Sequence, residues 1–232
     1  MDPDWDDRVN DFSYLQHSLC KTLPDNVNNM IASKEPSIPS FIKKSESVLE
    51  IGCGKGRWSK HLCDREKYVG IDISGEAIKF CESHYSGEFK IMDATKLPFD
   101  NNSFDIVFWS NILPGLNKEN RLKMYNEVQR IAKHKIIFLE FVMFWPFSMF
   151  VKSPLKHKEL MTNLSGTFSL CDLNRVIKLR VFWLLYGSMA IMKLTKNEKF
   201  LYSVLHMLNM VDQYMPSAYR IYIFDRVAFY GL

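Results

Sequence analysis

The chain has 232 residues, of which 47% are hydrophobic and 24% are charged, with ten glycines and nine prolines. This composition excludes a disordered, collagen-like or low-complexity chain. A chain of this length buries roughly 70% of its unfolded surface, so one core forms without a metal or disulfide staple. Five widely spaced cysteines without a CxxC pair favour reduced thiols and no zinc site.

The formal net charge of +4 is unevenly distributed. Residues 1–140 hold 19 basic and 21 acidic side chains, whereas residues 141–232 hold 11 basic and five acidic ones. An acidic amino-terminal segment is not typical of a secretory or mitochondrial targeting peptide. The apolar stretches are shorter than the roughly 20 residues that span a bilayer. We therefore predict a cytoplasmic protein with a single domain over 1–232.

The first predicted elements are helical. Apolar residues at helical spacing over 7–32 predict one or two helices, which form an amino-terminal cap over 1–47. Strands and helices then alternate over 48–142, the predicted cofactor-binding core. The predicted strands are 48–51, 68–73, 89–92, 104–110 and 135–142, and the predicted helices are 58–63, 76–84 and 116–133. Such alternation predicts a mostly parallel sheet that is covered on both faces.

Residues 143–232 break this alternation and are predicted to form the acceptor side of the domain. The elements predicted there are a loop over 143–169, a helix near 170–178, a strand over 181–189, a helix over 200–214 and a strand over 218–226. The predicted fold class is α/β, with a doubly wound, mostly parallel seven-stranded sheet whose last strand is antiparallel.

A glycine-rich loop follows the first predicted strand. The strand over 48–51 runs into Gly52, Gly54 and Gly56, and a helix is predicted to begin just after them. Glycines let backbone N–H groups approach a ligand, and the start of a helix favours an anionic group. A dinucleotide-binding loop requires a small residue where this chain has Arg57. The loop therefore favours a ligand that ends in a carboxylate, and a tight turn without ligand is the alternative.

Acidic residues accompany the ends of the first three predicted strands. Glu50 lies near the end of the first, Asp72 closes the second and Asp93 follows the third. An acid in the position of Asp72 can accept hydrogen bonds from both hydroxyls of a ribose. Because the carboxyl ends of parallel strands share one edge, these acids are predicted to line one crevice. Asp105, at the start of the fourth strand, is predicted to be structural.

These motifs, in this order, resemble the class I S-adenosylmethionine-dependent methyltransferases, particularly their small-molecule branch. The motifs are LEIGCGKG over 49–56, Asp72 at the end of strand two, DATKLPF over 93–99 and FDIVF over 104–108. The resemblance covers residues 48–116 and weakens toward the last strand. It implies a Rossmann-like methyltransferase fold, with S-adenosyl-L-methionine as cofactor and S-adenosyl-L-homocysteine as product.

The resemblance also implies roles on the methionine side of the cofactor. Glu50 and the backbone around Gly52, Gly54 and Gly56 correspond to positions that hold the methionine end. Asp72 corresponds to the position that binds the ribose.

Other matched positions correspond to the adenine and sulfonium sides. Asp93 and the backbone of Ala94 are implied to meet the adenine, and Ile73 is implied to pack on an adenine face. Trp109 and Ser110, taken to follow strand four, are implied to border the sulfonium.

The sequence predicts no catalytic residue and no metal ligand. Family members often carry a histidine or an acid in the loop after strand four, where this chain has Pro114 and Gly115. Tyr14, Glu140 and His157 are candidates by location only. Methyl transfer from a sulfonium mainly requires alignment of the acceptor and exclusion of water, so a base is not always needed.

Aromatic and methionine-rich segments over 5–30, 141–169 and 193–216 are predicted to select the acceptor. The latter two are also basic, which favours a small apolar or aromatic acceptor, with or without a carboxylate or phosphate. A nucleic acid is disfavoured because the positive charge is modest and the amino end is acidic. The alternatives are an RNA or protein methyltransferase, and a non-catalytic cofactor-binding scaffold with a peripheral membrane contact. The oligomeric state is not predicted.

Overall fold

A computed structural model of the chain describes residues 38–141, Leu164, residues 168–169, residues 177–179, Ser203 and residues 219–226. Several predictions lie outside these residues. They are the helices over 7–32, the strand over 181–189, the helix over 200–214 apart from Ser203, and the candidates Tyr14 and His157.

Five parallel strands form the main part of the sheet. They are β1 (Val48–Ile51), β2 (Tyr68–Asp72), β3 (Glu88–Ile91), β4 (Phe104–Ser110) and β5 (Ala132–Phe141). The long strand β8 (Tyr219–Arg226) pairs antiparallel with β5. The order across the sheet is β3-β2-β1-β4-β5-β8. The strand order therefore reverses between β1 and β4, since β2 and β3 lie on one side of β1 and β4 and β5 lie on the other. The predicted fold class, with its antiparallel last strand, is confirmed.

Two short strands pair with the far side of β8. They are β6 (Phe168–Ser169) and β7 (Ile177–Leu179), both antiparallel to β8. Eight strand segments are therefore present within the described residues, and the predicted count of seven is not confirmed. β6 lies within the predicted loop over 143–169, and β7 overlaps the end of the helix predicted near 170–178. The structure corrects both predictions at these residues. Strands of two or three residues carry too little periodicity to be read, and their pairing with β8 decides their conformation.

Three helices connect the parallel strands: α1 (Ser59–Leu62), α2 (Gly75–His84) and α3 (Lys118–Ile131). Short 3-10 turns cover Ile38–Phe41 and Leu113–Gly115. Polar side chains cap α2 and α3, since Ser74 Oγ accepts from Ala77 N at 3.1 Å and Asn117 Oδ1 accepts from Asn120 N at 2.9 Å. Within the described part of the chain, no helix has the length and apolar character needed to cross a membrane.

The sheet divides the core into two apolar layers. Successive residues of a strand point to opposite faces. Val107 and Trp109 accordingly pack in the layer that contains α3, whereas Ile106 and Phe108 pack in the layer that contains α1 and α2. Helices lie on both faces of the sheet, and the carboxyl ends of β1 and β4 flank the point where the strand order reverses. Ligands bind at such a point in open α/β sheets.

The amino end of β4 is held by a purely structural acid. Asp105 Oδ2 accepts hydrogen bonds from Ser47 N at 2.9 Å and from Ser47 Oγ at 2.7 Å. These contacts lie at the end of the sheet opposite to the carboxyl edge. The prediction that Asp105 is structural is confirmed.

Candidate functional site

Three glycines of the loop between β1 and α1 adopt left-handed backbone conformations. Their φ angles are +67° at Gly52, +52° at Gly54 and +80° at Gly56. A Cβ atom on Gly52 would lie 2.6 Å from Cδ1 of Ile112, and one on Gly56 would collide with the ring of Tyr85. At Gly54, in contrast, no atom of the described residues, its two chain neighbours apart, lies within 4 Å of an added Cβ. Gly52 and Gly56 therefore allow the loop to pack, whereas Gly54 leaves open space beside it.

The carboxylate of Asp72 joins this glycine loop to the end of β2. Its Oδ2 accepts a hydrogen bond from Gly54 N at 2.9 Å, and its Oδ1 accepts one from Ser74 N at 2.9 Å. Cys53 N also donates to Ile71 O at 3.0 Å, which holds the loop against β2. Asp72 is thus positioned at the open side of the loop, and its contact with a ribose stays a prediction.

Glu50 lies on β1 beneath the loop, with 2% of its surface exposed. Its Oε2 accepts hydrogen bonds from Ser59 Oγ at 3.0 Å and from the Tyr68 hydroxyl. Burial raises the pKa of Glu50 to about 7, although both hydroxyl donors act in the opposite direction. The carboxyl group therefore ties β1 to β2 and to the start of α1. Its contact with the methionine end of the cofactor stays a prediction.

Three further predicted residues follow β2 and β3 at the same edge. Asp93 is exposed, and its Oδ1 accepts hydrogen bonds at 2.8 Å from both the backbone N–H and the hydroxyl of Thr95. Ile73 and Ala94 are half-buried. The fold therefore brings these residues to the same edge as Asp72, and their contacts with an adenine stay predictions.

Trp109 lies near the end of β4, inside the predicted strand over 104–110, and none of its surface is exposed. Its indole stacks on Phe138 with the ring centroids 4.3 Å apart, and its Nε1 donates to Glu140 Oε1 at 2.9 Å. The side chain is therefore enclosed in the core, and a contact of Trp109 with the sulfonium stays a prediction. Ser110, the last residue of β4, is half-buried, and its Oγ has no hydrogen-bond partner.

The segment that carries this geometry matches a known family. Residues 48–135 match the sequence model of a family described as a methyltransferase domain. The match begins with β1, includes the glycine loop with Asp72 and Asp93, and ends within β5. Over residues 48–135 the chain matches a methyltransferase domain.

Curated relatives share this methyltransferase domain over part of their length. An uncharacterized protein of Methanocaldococcus jannaschii is 35% identical over 102 residues, which are 44% of this chain and 39% of the relative. The phthiotriol/phenolphthiotriol dimycocerosates methyltransferase of Mycobacterium leprae is 38% identical over 66 residues, which are 26% of this chain and 24% of the relative. The chain therefore spans about two fifths or less of either relative.

The fold extends beyond the matched segment. The crystal structure of an S-adenosylmethionine-dependent methyltransferase from Methanosarcina mazei has a TM-score of 0.56 and 20% sequence identity to this chain. The likeness covers 83% of this chain and 97% of that chain. At this identity it shows the fold alone, and the predicted Rossmann-like methyltransferase fold is confirmed.

Glu140, near the end of β5, holds the turn that follows β4 of the methyltransferase domain. It is fully buried, and its Oε1 accepts hydrogen bonds from Trp109 Nε1 at 2.9 Å, Ile112 N at 3.1 Å and Leu113 N at 3.1 Å. Burial raises the pKa of Glu140 to about 8, against the opposing effect of these donors. The carboxyl group is thus a positioning group for this turn, and its role as a catalytic candidate stays a prediction.

Asn111, directly after β4, was not among the predicted site residues. Its φ angle is +56°, and both Oδ1 and Nδ2 are buried without a hydrogen-bond partner. The signal in the sequence is an asparagine directly after an apolar strand, since asparagine tolerates left-handed backbone better than most residues. Nothing local in the sequence indicates that its amide is buried.

Two cysteines, Cys53 and Cys81, lie beside the glycine loop. Cys81 Sγ donates to Gly54 O at 3.2 Å. The hydrogen bond with Cys81, together with burial, raises the pKa of Cys53 well above the usual range of a thiol. In the described ranges, Cys53, Cys63 and Cys81 are free, and His, Cys, Asp and Glu side chains form no group of three that could hold a metal ion.

Proposed function

We propose that this chain binds S-adenosylmethionine along the carboxyl edge of β3, β2, β1 and β4 and transfers its methyl group to a small acceptor. The observation that carries the proposal is the open space at Gly54, which adjoins the Asp72 carboxylate inside a matched methyltransferase domain. A side chain at position 54 would fill this space. The left-handed glycine therefore supports a loop shaped to receive a ligand.

The residues along this edge fit the chemistry of the cofactor. A ribose offers two hydroxyl donors, which suit the carboxylate of Asp72. Asp93 provides an exposed carboxylate for the donors of an adenine, and Ile73 provides an apolar surface beside it. The N–H groups of the glycine loop suit the carboxylate at the methionine end.

When bound, S-adenosylmethionine supplies a methyl group that its positively charged sulfur has already activated. The residues of this chain then bind and orient the cofactor and exclude water from the methyl group. We assign no base. Tyr14 and His157 lie outside the described residues, and Glu140 Oε1 already accepts three hydrogen bonds.

For the acceptor, we propose a small apolar or aromatic molecule, with or without an anionic group. The support is the aromatic, methionine-rich and basic sequence over 141–169 and 193–216, which lies almost wholly outside the described residues. The acidic amino-terminal segment supports this acceptor over a nucleic acid, because it would repel a phosphate backbone. An RNA or protein acceptor, or a scaffold without turnover, is an alternative outcome of the acceptor experiment below.

Asp72→Ala is expected to weaken the binding of S-adenosylhomocysteine by about tenfold to a hundredfold, because it removes a charged hydrogen-bond acceptor. Isothermal titration calorimetry measures the effect, and thermal unfolding checks that the variant is folded. Asp100→Ala is the matched control, since Asp100 is exposed in the turn before β4 at the opposite end of the sheet. Unchanged binding by the Asp72 variant, or saturable binding of NADH without any response to S-adenosylmethionine, would contradict the proposal.

The acceptor experiment uses methyl-labelled S-adenosylmethionine and fractionated cell extract. Label that enters a small-molecule fraction supports the proposed acceptor class. Label in RNA or protein supports the alternative enzymes. Cofactor binding without release of S-adenosylhomocysteine in any fraction favours the scaffold.

A further inference from the structure

We infer that two residues of α3, Glu127 and Arg130, hold the loop after β3 in the one arrangement that lets Asp93 select an adenine. This loop, residues 92–103, joins β3 to β4, and we call it the adenine loop. The inference rests on the proposed function, in which Asp93 accepts from the donors of an adenine. Both α3 residues are positioning residues, since they act through the loop rather than on the ligand.

The first half of the adenine loop is organised around Asp93. Its Oδ1 accepts from the backbone N–H and the hydroxyl of Thr95, both at 2.8 Å, and Lys96 N donates to Asp93 O at 3.1 Å. Met92 N donates to Asp72 O at 2.9 Å, which ties the start of the loop to β2. The turn at Asp93 is thus attached to the sheet at one end. Loops are more mobile than the elements they connect, so the position of this turn depends on how its other end is held.

The second half of the adenine loop is bonded to α3 through its backbone. Leu97 N donates to Glu127 Oε2 at 2.7 Å. The Arg130 guanidinium donates from Nη2 to Leu97 O at 2.9 Å and from Nη1 to Phe99 O at 2.5 Å. These bonds satisfy backbone groups that no strand or helix ladder pairs. Both backbone groups of Leu97 are therefore bound to side chains of one helix.

Glu127 and Arg130 are themselves joined by a two-pronged ion pair. Arg130 Nε donates to Glu127 Oε1 at 3.1 Å, and Nη2 donates to Glu127 Oε2 at 2.9 Å. The hydrogen bond with Arg130 lowers the pKa of Glu127, and the bond with Glu127 raises the pKa of Arg130. Both side chains therefore stay charged at neutral pH. A bidentate pair of this kind fixes the orientation of both partners, so α3 offers the loop rigid donors and a rigid acceptor.

Apolar packing also contributes to this attachment. Leu97 is buried in the core layer that contains α3, and Phe99 lies edge-on to Phe104 with the ring centroids 5.1 Å apart. Apolar contacts are not directional, so the hydrogen bonds of the pair are what fix the path of the backbone. A half-buried ion pair contributes little to the free energy of unfolding. Its main effect is therefore expected on the position of the loop and of Asp93.

The test measures how strongly the protein prefers a purine that carries a 6-amino group. The probes are S-adenosylhomocysteine and its analogue with hydrogen in place of the 6-amino group, both titrated by calorimetry. The variants are Arg130→Ala, Arg130→Lys, Asp93→Ala and the double alanine variant. Lys123→Ala is the matched control, because it breaks an exposed ion pair with Glu119, 2.7 Å long, on the same helix.

We expect the wild type to prefer S-adenosylhomocysteine by about tenfold, the effect of one hydrogen bond to a charged acceptor. Arg130→Ala should reduce this preference to about threefold or less, because the loop no longer holds Asp93 in place. Hydrogen exchange over residues 92–103 should become faster in this variant. Arg130→Lys, which keeps the charge but not the fork, should lie between the two. Lys123→Ala should keep the wild-type values.

The Asp93 variants show whether Arg130 acts through Asp93. Asp93→Ala should already have lost the preference, and the double variant should show no further change in it, because coupled residues are not additive. A purely structural role of Arg130 would lower the melting temperature and leave the ratio of the two affinities unchanged.

Other outcomes have distinct meanings. Equal losses for both probes, or an unchanged preference in Arg130→Ala and Arg130→Lys, would overturn the inference and leave the proposed function standing. If Arg130→Ala does not fold, Arg130→Lys decides the test. A wild type that binds both probes equally would overturn the inference together with the contact proposed for Asp93. A wild type that binds neither probe would overturn the proposed function itself.

Discussion

Gly54→Val is expected to abolish measurable binding of S-adenosylhomocysteine while the domain stays folded. The valine side chain enters the open space at this position, where the part of the chain that the structure describes places no atom within 4 Å of an added Cβ, the two chain neighbours apart. We expect a loss of about a hundredfold or more, since the ligand would lose charge-assisted hydrogen bonds to the loop. The left-handed backbone adds a stability cost of roughly 1–2 kcal/mol. Calorimetry and thermal unfolding of the same preparation separate the two effects.

Gly75→Ala is the matched control for this substitution. Gly75 is the first residue of α2, and an added Cβ would lie 3.4 Å from Cδ1 of Ile91, an ordinary contact. Alanine favours a helix over glycine by up to about 1 kcal/mol, so the control should be at least as stable as the wild type and bind equally well. Wild-type affinity in Gly54→Val would show that the open space does not receive the ligand. If that variant unfolds, Gly54→Ala repeats the test with a single methyl group.

The free energy of unfolding is expected to fall as the pH rises from about 5 to 8. Burial raises the pKa of Glu50 to about 7 and that of Glu140 to about 8, from 4.5 in the unfolded chain. Between these values the folded protein holds more protons than the unfolded chain, so raising the pH favours unfolding. The stability contributed by each protonated carboxyl is complete below about 4.5 and lost as the pH passes its raised pKa. Between these values each group contributes a slope of up to about 1.4 kcal/mol per pH unit.

Urea unfolding at constant ionic strength, from pH 5 to pH 8, measures this dependence. Glu50→Gln and Glu140→Gln should each flatten the profile, because glutamine keeps an acceptor oxygen and does not titrate. Glu82→Gln, at an exposed position on α2, should leave the slope unchanged. A profile that rises with pH, or one that neither buried variant flattens, would refute the assignment.

Elements that are encoded locally agree between sequence and structure. β1 spans the predicted residues 48–51, and α2 and α3 begin within two residues of their predicted starts, after the caps Ser74 and Asn117. An apolar run that ends at glycine, and a polar side chain that satisfies the first N–H groups of a helix, act over a few residues. β6 and β7 were not predicted because their pairing with β8 joins segments that are distant in the chain.

Trp109 and Asn111 lie two residues apart in the chain, but their side chains have different surroundings. Both stand near the carboxyl end of β4, where the resemblance implied cofactor contacts. The alternation of side chains and the stacking on Phe138 turn Trp109 into the core. Two residues later the backbone of Asn111 lies in the left-handed region, and its amide is buried without a hydrogen-bond partner.

The sequence by itself determined the α/β architecture, the glycine loop and the acids at the carboxyl edge, because strand runs, glycines and terminal acids are read over short windows. Only the tertiary structure decided how these residues are used. Glu50 pairs with Ser59 and Tyr68, and Glu140 gathers three donors around one oxygen. Such partnerships depend on strand register and burial, which join residues up to 31 positions apart in the chain.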